Sequence, residues 1–532
     1  MLEIGYAHRP VALGRGGMVA SAHPFASLAG VEALKAGGTA ADAAVAVNAV
    51  LAVTQPYCCG VGGDFFCLYY DARSRRVHFL NGAGRSGSRA TLDELGRRNL
   101  RQVPRIGPPS VSVPGCVRAW GMLLERFGTR PLGDLLAPAI HYAEAGFPST
   151  HLVSQATAER LKVIEDAEWR RIFVPDGRLP ATGELLRQPD LALTLRALGE
   201  DGPDLFYRGK IAEAIAARLE AEGFVTAEDL AAHSGEWGEP LATDYRGFTV
   251  YQTPPPTQGL AALLALNLLE GFDLGRLAFH SAEHLHLLAE MIKLAYADRD
   301  RWIADPSQSR VPVAGMLAKD YARERRKAFD PKKAQTYTCG DPSGDTTGFV
   351  IADRHGNMIS AIQSLYASFG SGVVPEATGV VLHSRGAYFN TDPAHPNCFG
   401  PRKWPFHTLI ASIVTRDGRP VLGFSTRGAD GQAQFHVQVV TNVLDFGMEI
   451  QEAIERPRFL MGRFMLGQAQ EVLKVEGRVG RRALGGLARR GHRVEAVGEF
   501  YDQMGHAQGI VIRDGTLMGG ADPRGDGVAL GY

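Results

Sequence analysis

Two apolar strands set back to back in the second half of the chain constrain its fold more than any other feature. Residues 346–352 and 358–364 flank the turn-forming group Asp353-Arg354-His355-Gly356-Asn357, and apolar residues on both sides predict a β-hairpin. Pairing Ala352 with Met358 sets Ser364 directly opposite Thr346, and Cβ atoms of such opposed residues stand about 5 Å apart. The mouth of the hairpin reads Gly344-Asp345-Thr346-Thr347-Gly348. A chain cut before Thr346 would present a threonine whose own α-amine serves as base for its hydroxyl, with Ser364 in support. Hydroxyl residues also face one another on strands through β propensity alone, so the hairpin by itself leaves both readings standing.

Strands are expected again at 409–414, 421–424 and 509–512, with one long helix over 432–444 between them. Strands apolar on both faces need cover on both, from helices or a second sheet. Upstream, a helix over 25–34 stops at Gly37-Gly38, and Thr39 reads as the N-cap of a second helix over 40–53, closed by Pro56. A helix so apolar all round is a buried one. Gly60-Val61-Gly62-Gly63-Asp64 then leads into a buried strand over 65–70. It lacks the Lys-Ser/Thr ending of a phosphate loop and enters a strand rather than a helix, which favours a tight turn. Further helices are expected at 132–145, 210–221 and 281–300, and a short strand at 248–251 runs into the rigid Pro254-Pro255-Pro256. No low-complexity tract or repeat marks a linker between domains.

Charge and cysteine content narrow the function classes. Lys+Arg and Asp+Glu both number 57 in 532 residues, so nothing suggests a nucleic-acid partner. The six cysteines include the vicinal Cys58-Cys59 and no paired metal spacing, which argues against a disulfide framework and for a reducing compartment. The first ten residues lack a basic segment followed by an apolar run, and no stretch has the length and purity of a membrane span. A cytoplasmic location follows by default.

Ser425-Thr426-Arg427-Gly428-Ala429-Asp430-Gly431-Gln432 is a small-residue turn between a strand and a helix. The backbone N–H groups of Gly428 and Ala429 suit a developing negative charge, while an ordinary turn N-capped by Asp430 fits the same residues. His280, His284 and His286 lack a His-Glu-x-x-His pattern and are taken as helix surface and packing, so no metal is expected.

Motifs spread over nearly the whole chain resemble the γ-glutamyltransferase family. They include Gly17-Met18-Val19-Ala20-Ser21, Gly37-Gly38-Thr39-Ala40-Ala41-Asp42, Asp244-Tyr245-Arg246-Gly247, Tyr296-Ala297-Asp298-Arg299, Phe369-Gly370-Ser371-Gly372, Pro457-Arg458-Phe459 and Gly520-Ala521-Asp522-Pro523-Arg524. The resemblance implies an α+β fold, a four-layer αββα sandwich of the N-terminal nucleophile hydrolase type. It also implies a proenzyme that cleaves itself between Asp345 and Thr346. Segments 1–345 and 346–532 would remain one folded unit, a heterodimer by origin, and a homo-oligomer of such units is left open. Thr346 would be the nucleophile with Thr347 behind it, Ser364 its support, and Gly428 and Ala429 the oxyanion turn. No cofactor is implied.

The substrate positions depart from the family pattern. Where the family holds a glutamyl α-amine with an asparagine, a glutamine and an aspartate, this chain has Tyr366, Arg385 and Tyr388, and the family's serine pair becomes His407-Thr408. The early arginine that grips the α-carboxylate has no clean counterpart, although Arg85 and Arg89 lie nearby. Losing the acceptors removes the partner of an ammonium group, and Arg385 adds a bidentate donor for a carboxylate. The expected substrate is a small carboxylate-bearing amide, and the residues look most like the branch containing oxamate amidohydrolase. γ-Glutamyl transfer, glutaryl or cephalosporin acylase activity, and an unprocessed metabolite-binding relative are the other readings. His407 is either a substrate contact or a satisfied histidine at a strand start, and Arg385 either faces the pocket or pairs with a surface carboxylate.

Overall fold

A computed structural model describes residues 7–337, 345–464, 469 and 471–532, without the side chains of Asp345 and Thr346. Two seven-stranded sheets form its centre. The first runs Val528–Gly531, Gly17–Ser21, Asp345–Asp353, Met358–Tyr366, Asp64–Asp71, Arg76–Gly82 and Glu236–Gly238. The second runs Ala12–Gly14, Thr516–Ala521, Ala507–Arg513, Arg419–Thr426, Ala411–Arg416, Phe248–Gln252 and Leu241–Tyr245.

Side-chain alternation turns these sheets into inner layers. On the first, Phe65, Cys67, Tyr69, Phe349, Ile351 and Ile359 face a helical layer that includes Pro24–Lys35 and Ala40–Thr54. Their neighbours Phe66, Leu68, Tyr70, Val350, Ala352 and Ile362 face the other way, against Leu409, Ala411, Ile413 and Ile510 of the second sheet. The outer face of that sheet, with Val250, Val414 and Phe424, packs on helices Gly259–Leu269, Ala282–Trp302 and Gln432–Leu444. The order helix, sheet, sheet, helix is the expected αββα sandwich. Strands with two buried faces explain the unbroken apolar runs in the sequence.

The helix Ala40–Thr54 is capped from within its own first turn. Thr39 accepts the Asp42 N–H while the Asp42 carboxylate accepts the Thr39 N–H, a capping box for a helix whose every residue is buried. The glycines after it permit close approach. A Cβ on Gly62 would lie 2.3 Å from the Val381 carbonyl oxygen, and one on Gly63 would lie 2.4 Å from that of Ser364. The turn at 60–63 therefore locks two strands together.

Of the three histidines expected as helix surface and packing, two are packed inside. His280 precedes the helix Ala282–Trp302, while His284 and His286 are buried within it because neighbouring elements cover both faces. Among the described residues Cys58, Cys59, Cys67, Cys116 and Cys398 are free, and no helix is long and apolar enough to cross a membrane.

Candidate active site

The hairpin has the register its sequence implies. Ala352 pairs with Met358, and the ladder runs without a break to Thr347 opposite Gln363. One step further it shifts, because Asp345 pairs with Tyr366, and this irregularity brackets Thr346. Ser364 thus lies beside the bulge rather than in a plain opposed pair. Thr346 and Asp345, the pair expected to flank a cleavage point, have backbone positions in the strand, but their side chains lie outside the described residues. Thr347 is buried, and its hydroxyl donates to Gln55 Oε1 at 3.1 Å, at the C-cap of the helix Ala40–Thr54. Ser364 Oγ accepts the Tyr366 N–H at 2.8 Å, which holds Tyr366 in a left-handed conformation with φ +75°.

The hairpin meets the second sheet at the Ser425–Gly431 turn. A Cβ on Gly348 would stand 2.2 Å from Ser425 Oγ, so glycine alone lets the strand reach the turn this closely. Gly428 has φ +150° and Ala429 has φ +51°, so the alanine does occupy the strained left-handed region its place in the turn requires. Gln258 pins this backbone, donating to the Ala429 carbonyl at 3.1 Å and to the Thr408 carbonyl at 2.9 Å, while Arg299 donates to Gln258 Oε1 at 2.8 Å.

Asp430 is not the helix cap. Gly431 occupies the N-cap of Gln432–Leu444, and the Asp430 carboxylate instead accepts the Tyr388 hydroxyl at 2.9 Å and pairs with Arg299 at 3.2 Å and Arg463 at 3.0 Å. Three buried donors outcompete backbone N–H groups for it. The Tyr388 ring in turn stacks on Phe406 and meets Tyr366 edge-on, so the expected substrate-binding tyrosines form an aromatic wall beside the turn at Gly428 and Ala429.

Asp64 is the residue sequence reasoning missed. It is fully buried at the start of its strand and pairs in the ladder with Ser364. Its Oδ2 accepts from Arg385 Nε at 3.1 Å and lies 3.1 Å from His383 Nδ1 and 3.3 Å from His407 Nε2. Burial works to raise its carboxyl, but His383 and His407 outweigh it and hold the group well below the usual carboxylate range. Burial pushes His407 down against the pull of Asp64, and His407 Nδ1 donates to the Pro405 carbonyl at 2.7 Å. An acidic residue at the mouth of an otherwise apolar strand was the available signal.

Arg385 is anchored without being used up. Its guanidinium lies 4.7 Å from the centre of the Tyr366 ring and is fully buried, yet Nη1 and Nη2 have no hydrogen-bond partner among the described residues. Thr408 Oγ1 is likewise buried and unpartnered. A buried donor left this way costs about 1–3 kcal/mol, and more when charged, which a bound acceptor would recover. Arg85 and Arg89 are committed elsewhere: Arg85 pairs with Asp305 at 2.9 Å and stacks on Trp404, and Arg89 donates to the Glu220 carbonyl.

Comparison with known proteins identifies the family. The family model described as Gamma-glutamyltranspeptidase matches residues 26–532. The chain belongs to the gamma-glutamyltranspeptidase family. Among its family relatives, the glutathione hydrolase-like YwrD proenzyme of Bacillus subtilis is 39% identical over 97% of this chain and 98% of its own length. The oxamate amidohydrolase proenzyme of Klebsiella pneumoniae is 37% identical, with 97% of this chain and 98% of its own length covered. A crystal structure of cephalosporin acylase from Bacillus halodurans superposes with a TM-score of 0.93 at 36% identity, covering 100% of this chain and 99% of that one. This gamma-glutamyltranspeptidase relative is therefore an enzyme of the N-terminal nucleophile hydrolase class.

Proposed function

We propose that this chain is a proenzyme that cleaves itself between Asp345 and Thr346 and then hydrolyses a small carboxylate-bearing amide, oxamate-like in size. In the first step the Thr346 hydroxyl attacks the Asp345 carbonyl carbon, the Asp345–Thr346 C–N bond breaks, and an ester takes its place. Water hydrolyses the ester, leaving segments 1–345 and 346–532 in one folded body with a free amine on Thr346. That amine then takes the hydroxyl proton as Thr346 attacks the substrate amide, and the N–H groups of Gly428 and Ala429 hold the oxyanion. The departing amine carries the proton away, and water releases the acid from the acyl-enzyme. Ser364 and Thr347 fix the strand and hydroxyl geometry around the nucleophile.

The observation that carries the substrate class is the pair of buried, unpartnered Arg385 nitrogens, held toward the site by Asp64. A planar fork of this kind matches a carboxylate bidentately. Tyr366, Tyr388, His407 and Thr408 would line the rest of the pocket. Proteins named oxamate amidohydrolase and cephalosporin acylase stand among the relatives, and the aromatic wall of Tyr366, Tyr388 and Phe406 favours the smaller acid.

Two measurements test this. Denaturing electrophoresis of the purified protein is expected to resolve two fragments; a single band at 57.3 kDa after long incubation would sink the processing step. A panel of oxamate, glutaryl amides and a γ-glutamyl anilide, followed by ammonia or amine release, is expected to favour oxamate. Efficient γ-glutamyl transfer to a dipeptide would overturn the assignment of Arg385.

A further inference from the structure

We infer that His286, Glu290 and His492 form a site for a divalent transition-metal ion of borderline softness, zinc by its ligand chemistry, that ties the two halves of the chain together. His286 and Glu290 stand one turn apart on the helix Ala282–Trp302, and His492 immediately precedes the strand Arg493–Val497. Residues four apart on a helix share a face. All three are buried, and their ligand atoms lie within 4.8 Å of one another. His286 Nδ1 is 2.8 Å from His492 Nε2, and His492 Nε2 is 3.9 Å from Glu290 Oε1.

The surroundings orient these atoms as ligands. His286 Nε2 donates to the Asp330 carbonyl at 2.8 Å, which fixes the tautomer with the Nδ1 lone pair turned toward His492 and Glu290. A ligating imidazole characteristically gives its other N–H to a carbonyl in this way. Glu290 Oε2 accepts the Gln335 N–H and the Tyr337 hydroxyl, both at 3.1 Å, leaving Oε1 for the cation.

The cation now beside Glu290 is Lys293, whose ammonium also donates to the Gln335 carbonyl at 2.6 Å. An ion at Oε1 would displace Lys293 onto that carbonyl alone. Zinc–nitrogen bonds of about 2.0–2.1 Å require the two imidazoles to part by only about half an ångström. His492 and Lys293 line a cavity of about 750 Å³, which gives a water access to the fourth position. Because His286 and Glu290 precede Thr346 and His492 follows it, the ion would bridge the two fragments of a processed chain.

The test uses the full chain as purified without a polyhistidine tag, stripped with a chelator and titrated with Co²⁺ under visible absorption. One equivalent is expected to bind with the bands of four-coordinate cobalt and to be displaced by Zn²⁺. His286→Ala and His492→Ala are each expected to weaken binding by more than the roughly 10–100-fold that an outer-shell loss costs. Lys293→Met should strengthen it, and the near-isosteric Glu290→Gln should weaken it even if a histidine variant fails to fold. A chelator-stripped wild-type protein that takes up no cobalt, or bands that persist in the folded histidine and Glu290 variants, would overturn the site in favour of a plain His–His hydrogen bond beside a Glu–Lys pair.

Discussion

The hairpin that carries Thr346 and the charged cluster around Asp64 adjoin along one strand, Met358–Tyr366, where Ser364 pairs with Asp64, yet different forces hold them. The hairpin is fixed by backbone pairing from Ala352–Met358 to Thr347–Gln363, and the oxyanion turn beside it by backbone carbonyls pinned on Gln258. The cluster is organised by the buried carboxylate of Asp64, which faces Arg385, His383 and His407, with backbone carbonyls of Ser112 and Pro405 holding the two imidazoles from behind. Reaction machinery built from main chain tolerates changes of side chain. A pocket built from buried charges is open to a change of ligand with one or two substitutions.

Thr346→Ala gives the largest effect expected on the machinery side. It removes the hydroxyl used in both steps, so the chain should stay intact on a denaturing gel and amide hydrolysis should vanish, while circular dichroism and thermal melting stay close to wild type. Any residual cleavage at Asp345 would mean that another nucleophile acts there.

Asp64→Asn is the corresponding break on the charged side. Removing one member of a buried charged network costs about 3–5 kcal/mol, measurable as a shift in the denaturant midpoint. The acid dependence supplies a second readout. Asp64 has a folded pKa well below the ordinary value near 4, so the unfolded chain takes up its proton first as pH falls. Its stabilisation is complete above about pH 4 and is lost as pH drops from there toward the folded value. The Asn variant should lack that part of the acid slope; an unchanged slope would show that Asp64 is not the anion at the centre of the cluster.

These two regions also differ in how far the sequence reveals them. The hairpin register is legible because its determinants are local: two apolar runs and the five-residue turn between them set it. The capped helix Ala40–Thr54 is legible for the same reason, since Thr39 and Asp42 lie three residues apart. Asp64 meets His383 and Arg385 across 319 and 321 residues, and no spacing rule connects them. His286 and His492 meet across 206. Asp430 misled as a helix cap because Tyr388, Arg299 and Arg463, all distant in the chain, claim its carboxylate. The strand expected from 409 begins at Ala411, because residues just before it are spent on a bridge from His407 to Thr257 and a bond from the Ile410 N–H to Gln432.

Arg385→Lys probes the pocket more gently. It keeps a positive charge near Asp64 but replaces the planar fork by a single ammonium, which is not a conservative change at a bidentate site. kcat/KM for the carboxylate-bearing amide should fall about 10–100-fold, the equivalent of about 1.4–2.7 kcal/mol, while self-cleavage proceeds. An equal loss on an amide without the carboxylate would move Arg385 from substrate recognition to support of the fold.

Ala429→Gly gives the smallest expected effect and the cleanest separation of the two regions. The Ala429 N–H proposed to hold the oxyanion belongs to the backbone and survives the change. Alanine at φ +51° sits in a conformation that costs an L-residue about 1–2 kcal/mol, and glycine removes that strain. Glycine also gives back roughly 0.5–1 kcal/mol through the greater freedom of the unfolded chain, so net stability should rise by no more than about 1.5 kcal/mol. Self-cleavage and hydrolysis should stay within about threefold of wild type, since a factor of ten needs about 1.4 kcal/mol at the transition state. A large fall in both would mean that the alanine methyl, and not only the peptide N–H, shapes the oxyanion turn.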